Sequence, residues 1–252
     1  VNLPHSVRLE KYANGGQGGI YMGDAMYIKH FPISEDAEGK KIFITFEGVM
    51  GTSNVWVNGV KMTTKLAEKT GDATYYGGYL PFVIDISDVA ICDGTTENVI
   101  VVYANSKYDP TVPPGKDPNA LDFSYFGGIY RDVNLICVNN THFDLDYYGA
   151  PGIKITPVVS GADATVEVEA YVTNLKAGQT LVYAIYDKEE NELQKIETAE
   201  TKASFLLKDV HLWHGRKDPY LYCCEVEIVE NGEVLDNVCN RFGCRTFKID
   251  PD

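Results

Sequence analysis

The sequence predicts an all-β protein made of two consecutive sandwiches. Three observations predict it: short segments of period-two alternation, asparagine-glycine pairs between such segments, and no stretch of sustained helical periodicity. In chain order, residues 41–46 form the first clear alternating segment. Val55-Trp56-Val57 and Val60-Lys61-Met62 then flank Asn58-Gly59, whose residues tolerate the positive φ of a type I′ turn, so they read as a hairpin. Phe82, Ile84 and Ile86 alternate after Pro81 as the start of a buried strand. Residues 99–104 and 132–138 complete the first half. Further strands follow at 165–172, 181–186, 203–207 and 222–229, the last leading into a second turn signal at Asn231-Gly232. Many short strands with frequent turn residues favour sandwiches or jelly rolls over a parallel α/β sheet. Trp56 is expected in the core beside its hairpin, and Trp213 as the anchor of the loop before the last hairpin.

The domain boundary is placed near residues 138–142, giving 1–142 and 143–252. The strand at 132–138 runs into Asn139-Asn140-Thr141, and residues 147–151 are rich in turn formers. The same triplet matches an N-glycosylation acceptor pattern, one that is common by chance.

Composition excludes several classes of function. A formal net charge of -14 would repel nucleic-acid phosphates. No run approaches the roughly 18 apolar residues that a membrane helix needs, and the first residues lack a signal-peptide layout. The six cysteines, Cys92, Cys137, Cys223, Cys224, Cys239 and Cys244, contain no C-x-x-C pair, and the histidines supply no zinc spacing. A chain this long can build its cores without covalent staples, so the thiols are expected to be free. On a strand, Cys224 shares a face with Tyr222, Val226 and Ile228 and belongs to the core, while Cys223 lies on the side of Glu225 and Glu227.

Three groups of residues carry more than fold. Leu121-Asp122-Phe123-Ser124-Tyr125-Phe126-Gly127-Gly128-Ile129-Tyr130-Arg131-Asp132-Val133-Asn134-Leu135 resembles a signature of glycoside hydrolase family 2. Asn54-Val55-Trp56-Val57-Asn58-Gly59 and Gly77-Gly78-Tyr79-Leu80-Pro81-Phe82-Val83-Ile84-Asp85-Ile86 resemble two further segments of that family's first domain, in the family's order. Leu212-Trp213, Asp218-Pro219-Tyr220-Leu221-Tyr222 and Arg241-Phe242-Gly243-Cys244-Arg245-Thr246-Phe247 resemble the end of its second domain. Departures fall in that second half: His214-Gly215-Arg216-Lys217 replaces a serine-proline-rich stretch, and Cys244 stands where a larger apolar residue is commoner.

The resemblance implies a galactose-binding-like jelly roll followed by an immunoglobulin-like sandwich, together forming the non-catalytic N-terminal portion of a retaining exo-β-glycosidase. Both catalytic carboxylates would then lie on a barrel beyond Asp252, and Val1-Asn2-Leu3-Pro4-His5 would stand well inside the full protein. Phe126-Gly127-Gly128-Ile129-Tyr130-Arg131-Asp132-Val133 is closer to the galactosidase version of the motif than to the glucuronidase version, which implies a terminal β-galactoside as substrate. For the full-length enzyme the resemblance further implies a monovalent cation or magnesium, with no cofactor on this chain, and a homo-oligomeric assembly. The missing barrel and the carbohydrate substrate are the implied partners, to the exclusion of nucleic acid and membrane.

Candidate site residues are few. Residues 105–122 form a connection too long and too proline-rich for a hairpin, and long loops in compact domains commonly carry function. By its place in the signature, Asp122 matches an aspartate that contacts substrate in the family's outermost sugar subsite; the alternative is a cap or turn residue. Tyr75, Tyr76, Tyr79 and Phe82 around Gly77-Gly78 could stack on sugar rings, but the alternation favours core and turn roles. Arg131 and Asp132 are read as packing and domain-contact residues. Asn191-Glu192 imitates the family's acid/base pair yet sits in a polar turn. A retaining glycosidase needs a second carboxylate about 5 to 5.5 Å away, and none accompanies it. The same portion of a β-glucuronidase, a stand-alone carbohydrate-binding module and a purely structural pair of sandwiches are the competing readings.

Overall fold

The computed structural model describes residues 1–7, 22–64, 71–116, 120, 121, 123, 126–145 and 152–249. The chain divides into two compact units, Val1–Cys137 and Val138–Asp252. The described residues are all-β, apart from one 3-10 turn at Glu35–Ala37 capped by the Ser34 hydroxyl. The first unit is a jelly-roll sandwich and the second an immunoglobulin-like one.

In the first unit the strands are β1 (Asp24–Phe31), β2 (Lys41–Phe46), β3 (Thr52–Val57), β4 (Val60–Lys61), β5 (Tyr75–Tyr76), β6 (Phe82–Asp85), β7 (Asn98–Asn105) and β8 (Val133–Val138). One sheet runs β1-β7-β3-β4, with β5 also on β3; the other runs β6-β2-β8. Ile42, Ile44, Phe46, Phe82 and Ile84 from one sheet pack on Val55, Val57, Ile100, Val102 and Ala104 from the other. Asn58 and Gly59 adopt φ of 49° and 83°, as the type I′ turn requires. The Asn58 amide also donates to the Val89 carbonyl and to the Asn98 side chain, tying the hairpin to the next loop.

Trp56 departs from expectation. Alternation on β3 places Val55 and Val57 in the core, so Trp56 points to the opposite face, where the Lys61 ammonium sits 5.7 Å from its ring centroid. A period of two fixes which residues share a face but not which face is buried.

The second unit holds β9 (His142–Phe143), β10 (Ile153–Ser160), β11 (Asp163–Ala170), β12 (Val172–Thr173), β13 (Gln179–Tyr186), β14 (Glu192–Thr198), β15 (Lys202–Leu207), β16 (Tyr222–Glu230) and β17 (Glu233–Phe242). Sheets β10-β11-β15 and β14-β13-β16-β17 bury Val166, Val168 and Phe205 against Leu181, Tyr183, Val226 and Ile228. The single strand expected at 165–172 is two. At Tyr171 the chain leaves β11, its N–H bonding to the Gly152 carbonyl, and resumes as β12 paired with β9. Trp213 anchors its loop as expected. Its N–H donates to the Cys244 carbonyl, Arg245 lies over its ring at 5.0 Å, and Gly243 packs where a Cβ would meet it at 3.0 Å.

Not all the thiols are free. Cys223 and Cys239 form a disulfide between β16 and β17, while Cys92, Cys137, Cys224 and Cys244 remain thiols. The Asn231-Gly232 turn sets Glu230 opposite Glu233, a register that would bring Cys239 opposite Cys224, on the core face. A bulge between Ile228 and Val229 shifts the pairing by one residue, so Cys239 opposes Glu225 and moves to the outer face beside Cys223. Cys224 stays fully buried, and burial pushes its thiol up to about 12.

The Asn139-Asn140-Thr141 triplet is engaged internally. The Asn139 amide nitrogen donates to the Leu235 carbonyl at 2.6 Å, and the buried Thr141 hydroxyl donates to the Asn174 carbonyl.

Candidate functional site

The signature is a packing device at one end of the first unit. Residues 47–51 run alongside 127–132: Met50 N–H bonds to the Gly128 carbonyl, Glu47 N–H to the Asp132 carbonyl, and Val49 bridges Ile129. On the other side, His5 and Val7 donate backbone bonds to Ile129 and Gly127. The glycines are squeezed between these two segments. Gly128 has φ of 110°, and a Cβ there would meet the His5 carbonyl oxygen at 2.9 Å. Only glycine serves at such a position. Ile129 then enters the core, and Tyr130 swings outward with Arg131 over its ring.

Tyr130 reaches a second loop. Its hydroxyl donates to the Gly78 carbonyl at 2.6 Å, and its ring occupies the space a side chain on Gly48 would take, at 2.9 Å from that absent Cβ. Gly78 packs in turn on Met50 and Gly51, each 2.9 Å from where its Cβ would be. Tyr75 stacks on Phe82 with ring centroids 4.1 Å apart and donates to the Leu80 carbonyl, so Tyr75 and Phe82 are core and turn residues as expected. Burial pushes the Tyr75 phenol up to about 12. Tyr76 and Tyr79 instead face solvent, at 53% and 38% exposure.

The long proline-rich loop meets this turn. Ser106 is buried, its backbone N–H bonding to the Gly23 carbonyl and its hydroxyl oxygen accepting from Gly23 N–H. Asp109 accepts from the Thr111 N–H and hydroxyl, which holds its carboxyl below the usual range. Turns Asp109-to-Val112 and Val112-to-Gly115 follow, with Val112 buried. The cleft between this loop and Met50-Gly51 holds only about 10 Å³, which is room for at most one water. The loop therefore closes against Met50-Gly51 without leaving a ligand-sized cleft there. A larger concavity of about 530 Å³, lined by residues including Glu35, Glu38, Lys40 and Cys92, shares none of these residues.

Asp122 lies outside the described residues, between Leu121 and Phe123. The 71–81 turn was not legible as a neighbour of the 105–116 loop, because no local pattern pairs the two. The tie is made by Tyr130 and two glycines far apart in sequence. Arg131 is exposed and covers Tyr130, and the Asp132 backbone bonds Glu47. Asn191-Glu192 is a turn: Asp187 accepts from the Asn191 N–H and side-chain amide, and Glu192 opens β14 in the open. Among the described residues, no group of three or more His, Cys, Asp or Glu is placed to hold a metal ion.

Comparison with known proteins gives the same family from sequence and from structure. Residues 151–245 match the family described as Glycosyl hydrolases family 2. A β-galactosidase of Thermoanaerobacter pseudethanolicus is 32% identical over 233 residues, covering 90% of this chain and 29% of the relative. A β-glucuronidase of Bacteroides fragilis is 27% identical over 263 residues, covering 100% of this chain and 35% of the relative. The crystal structure of an FMN-binding β-glucuronidase from Faecalibacterium prausnitzii L2-6 superposes with a TM-score of 0.83 at 29% identity, covering 100% of this chain and 37% of that one. The chain thus spans about a third of the length of the relatives it matches. The architecture, the signature and these matches agree: the chain belongs to glycoside hydrolase family 2, as an N-terminal portion of one of its members.

Proposed function

We propose that this chain is the non-catalytic, carbohydrate-facing N-terminal portion of a retaining exo-β-glycosidase whose substrate is a terminal β-galactoside. The observation that carries the proposal is the 126–133 signature. Gly128 and Tyr130 of this signature lock one end of the first sandwich. In this reading Asp122 contacts the outermost sugar, and the catalytic barrel and any monovalent cation or magnesium belong to the rest of the protein. Galactoside is preferred over glucuronide because the 126–133 motif reads as the galactosidase version.

A β-glucuronidase is the second reading, favoured by the whole-chain coverage of the Bacteroides fragilis relative and the 0.83 TM-score. The test is to express the complete gene product and measure kcat/KM on p-nitrophenyl β-galactoside and p-nitrophenyl β-glucuronide. The proposal expects at least about tenfold preference for the galactoside, or roughly 1.4 kcal/mol in transition-state binding. A preference of that size for the glucuronide would replace it with the second reading.

A further inference from the structure

Two hairpin turns of this chain share a sequence and a backbone conformation but not their surroundings. Asn58-Gly59 joins β3 to β4, and Asn231-Gly232 joins β16 to β17. Asn58 and Gly59 have φ of 49° and 83°, and Asn231 and Gly232 have φ of 52° and 85°. Among the described residues, the N–H of Gly59 and that of Gly232 are both unpaired. The asparagine amides differ. Asn58 is half-buried; its Nδ2 donates to the Val89 carbonyl and to Asn98 Oδ1, each at 2.8 Å, and its Oδ1 accepts from Val99 N–H at 2.8 Å. Asn98, one of these partners, is itself fully buried. Asn231 is exposed, and among the described residues its side chain has no hydrogen-bond partner. A third pair, Asn14-Gly15, lies outside the described residues.

An asparagine followed by glycine can cyclise, because glycine has no side chain to shield its backbone nitrogen. That nitrogen gives its proton to water and attacks the asparagine Cγ. The Cγ–Nδ2 bond breaks, ammonia leaves, and a succinimide closes. Water then opens the ring at either carbonyl, giving aspartate or isoaspartate, so one water is taken up for each ammonia released. The attack is intramolecular, and its rate depends on how often Cγ is presented to the nitrogen. With the backbones matched, the freedom of the side chain sets that frequency. For Asn58, three hydrogen bonds must open first, and each resists. For Asn231 none must.

We propose that Asn231 is a site of spontaneous modification by water in the folded protein, converted through a succinimide to isoaspartate and aspartate, while Val89, Asn98 and Val99 protect Asn58. Either product places a new negative charge between Glu230 and Glu233, which pair across the turn. Like charges so placed destabilise a hairpin. Isoaspartate also adds one backbone carbon to a two-residue loop, and loop length helps to fix strand register. The Cys223–Cys239 bridge keeps β16 and β17 covalently joined after the turn has changed.

The test is incubation of the folded 252-residue chain in mildly alkaline buffer, followed by digestion and peptide mass mapping. Rates are read from the one-dalton gain in the peptides that contain Asn58 and Asn231, and isoaspartate is resolved from aspartate by chromatography. Asn231 is expected to convert at least about tenfold faster than Asn58, since the hydrogen bonds that Asn58 must break raise its barrier by at least that factor. The same measurement in denaturing urea, with the disulfide reduced, removes the protection. The two rates should then agree within about threefold, because only the neighbouring residues still differ. Equal rates in the folded chain, or conversion of Asn58 ahead of Asn231, overturn the proposal. So does a tenfold ratio that persists in urea, which would assign the difference to local sequence. An Asn231 peptide that keeps its mass in the folded chain while converting in urea overturns it as well.

Discussion

The Tyr130 hydroxyl donates to the Gly78 carbonyl across 52 residues of sequence, at 2.6 Å. It joins the family signature to the turn that carries the exposed tyrosines. Tyr130→Phe keeps the ring against Gly48 and removes only this bond. A neutral hydrogen bond contributes about 0.5 to 1.5 kcal/mol, so urea unfolding should show a loss in that range. An unchanged midpoint would mean the bond is replaced by water at no cost.

Gly128 and Gly39 separate two effects of adding a methyl group. Both have positive φ, 110° and 74°, but nothing lies within 4 Å of a Cβ built on Gly39, whereas Gly128 faces the His5 carbonyl at 2.9 Å. Gly39→Ala should cost about 1 to 2 kcal/mol from backbone conformation alone. Gly128→Ala must add displacement of the Tyr27 hydroxyl and of the N-terminal segment and should cost distinctly more in the same denaturation assay. Equal losses would show that neither Tyr27 nor residues 5–7 pack tightly on the signature.

Alkylation without reductant should find Cys137 the most reactive thiol in the native chain and leave one pair protected even in the unfolded chain. Cys224 and Cys244 should label only on unfolding, since burial pushes their thiols up to about 12 and about 11. Peptide mapping should identify the protected pair as Cys223–Cys239. Replacing both with serine should lower stability by up to about 3 kcal/mol, the entropy of closing a loop of this length. Six reactive thiols would remove the bridge.

Alkaline stability follows from Tyr75, raised by burial to about 12, and from Tyr183, raised by burial in the second core. A phenol ionises near 10 in the unfolded chain. The folded state resists losing these protons, so their contribution to stability is complete below about pH 10 and falls away as pH rises through the folded values. Stability measured from pH 8 to 12 should hold level and then drop above about 10. Tyr75→Phe should shallow that drop, and a curve identical to wild type would mean Tyr75 is not the group being ionised.

Asp122→Ala in the full-length protein should reduce kcat/KM by roughly ten- to a hundredfold, as expected when charged hydrogen bonds worth about 1.5 to 3 kcal/mol are lost. The isolated chain should keep its unfolding midpoint. Near wild-type kinetics, or unfolding of the isolated variant, would make Asp122 a turn residue.

Strands were legible where the pattern is local. Residues 41–46 are β2 residue for residue, 99–104 lie within β7, and the Asn58-Gly59 and Asn231-Gly232 turns adopt the left-handed φ that their residue types favour. What escaped was decided by pairing. Trp56 lies on the outer face of β3, which alternation alone does not distinguish from the core face, and Cys239 changes face through a bulge three strand positions from its hairpin turn. Tyr130 and Gly78 could be recognised as parts of motifs, but their contact could not, because nothing in either segment encodes the other. The signature glycines likewise read as a pattern until the His5 carbonyl beside Gly128 supplied the reason for one of them.

The Asn139 amide nitrogen, bonded to the Leu235 carbonyl, is also the atom an oligosaccharyltransferase would modify. With Thr141 buried beside it, the folded chain withholds both halves of the acceptor pattern at once. In a secretory pathway that attaches glycans, modification at this position would become a race against closure of the last hairpin. Site occupancy there would report how quickly β17 docks.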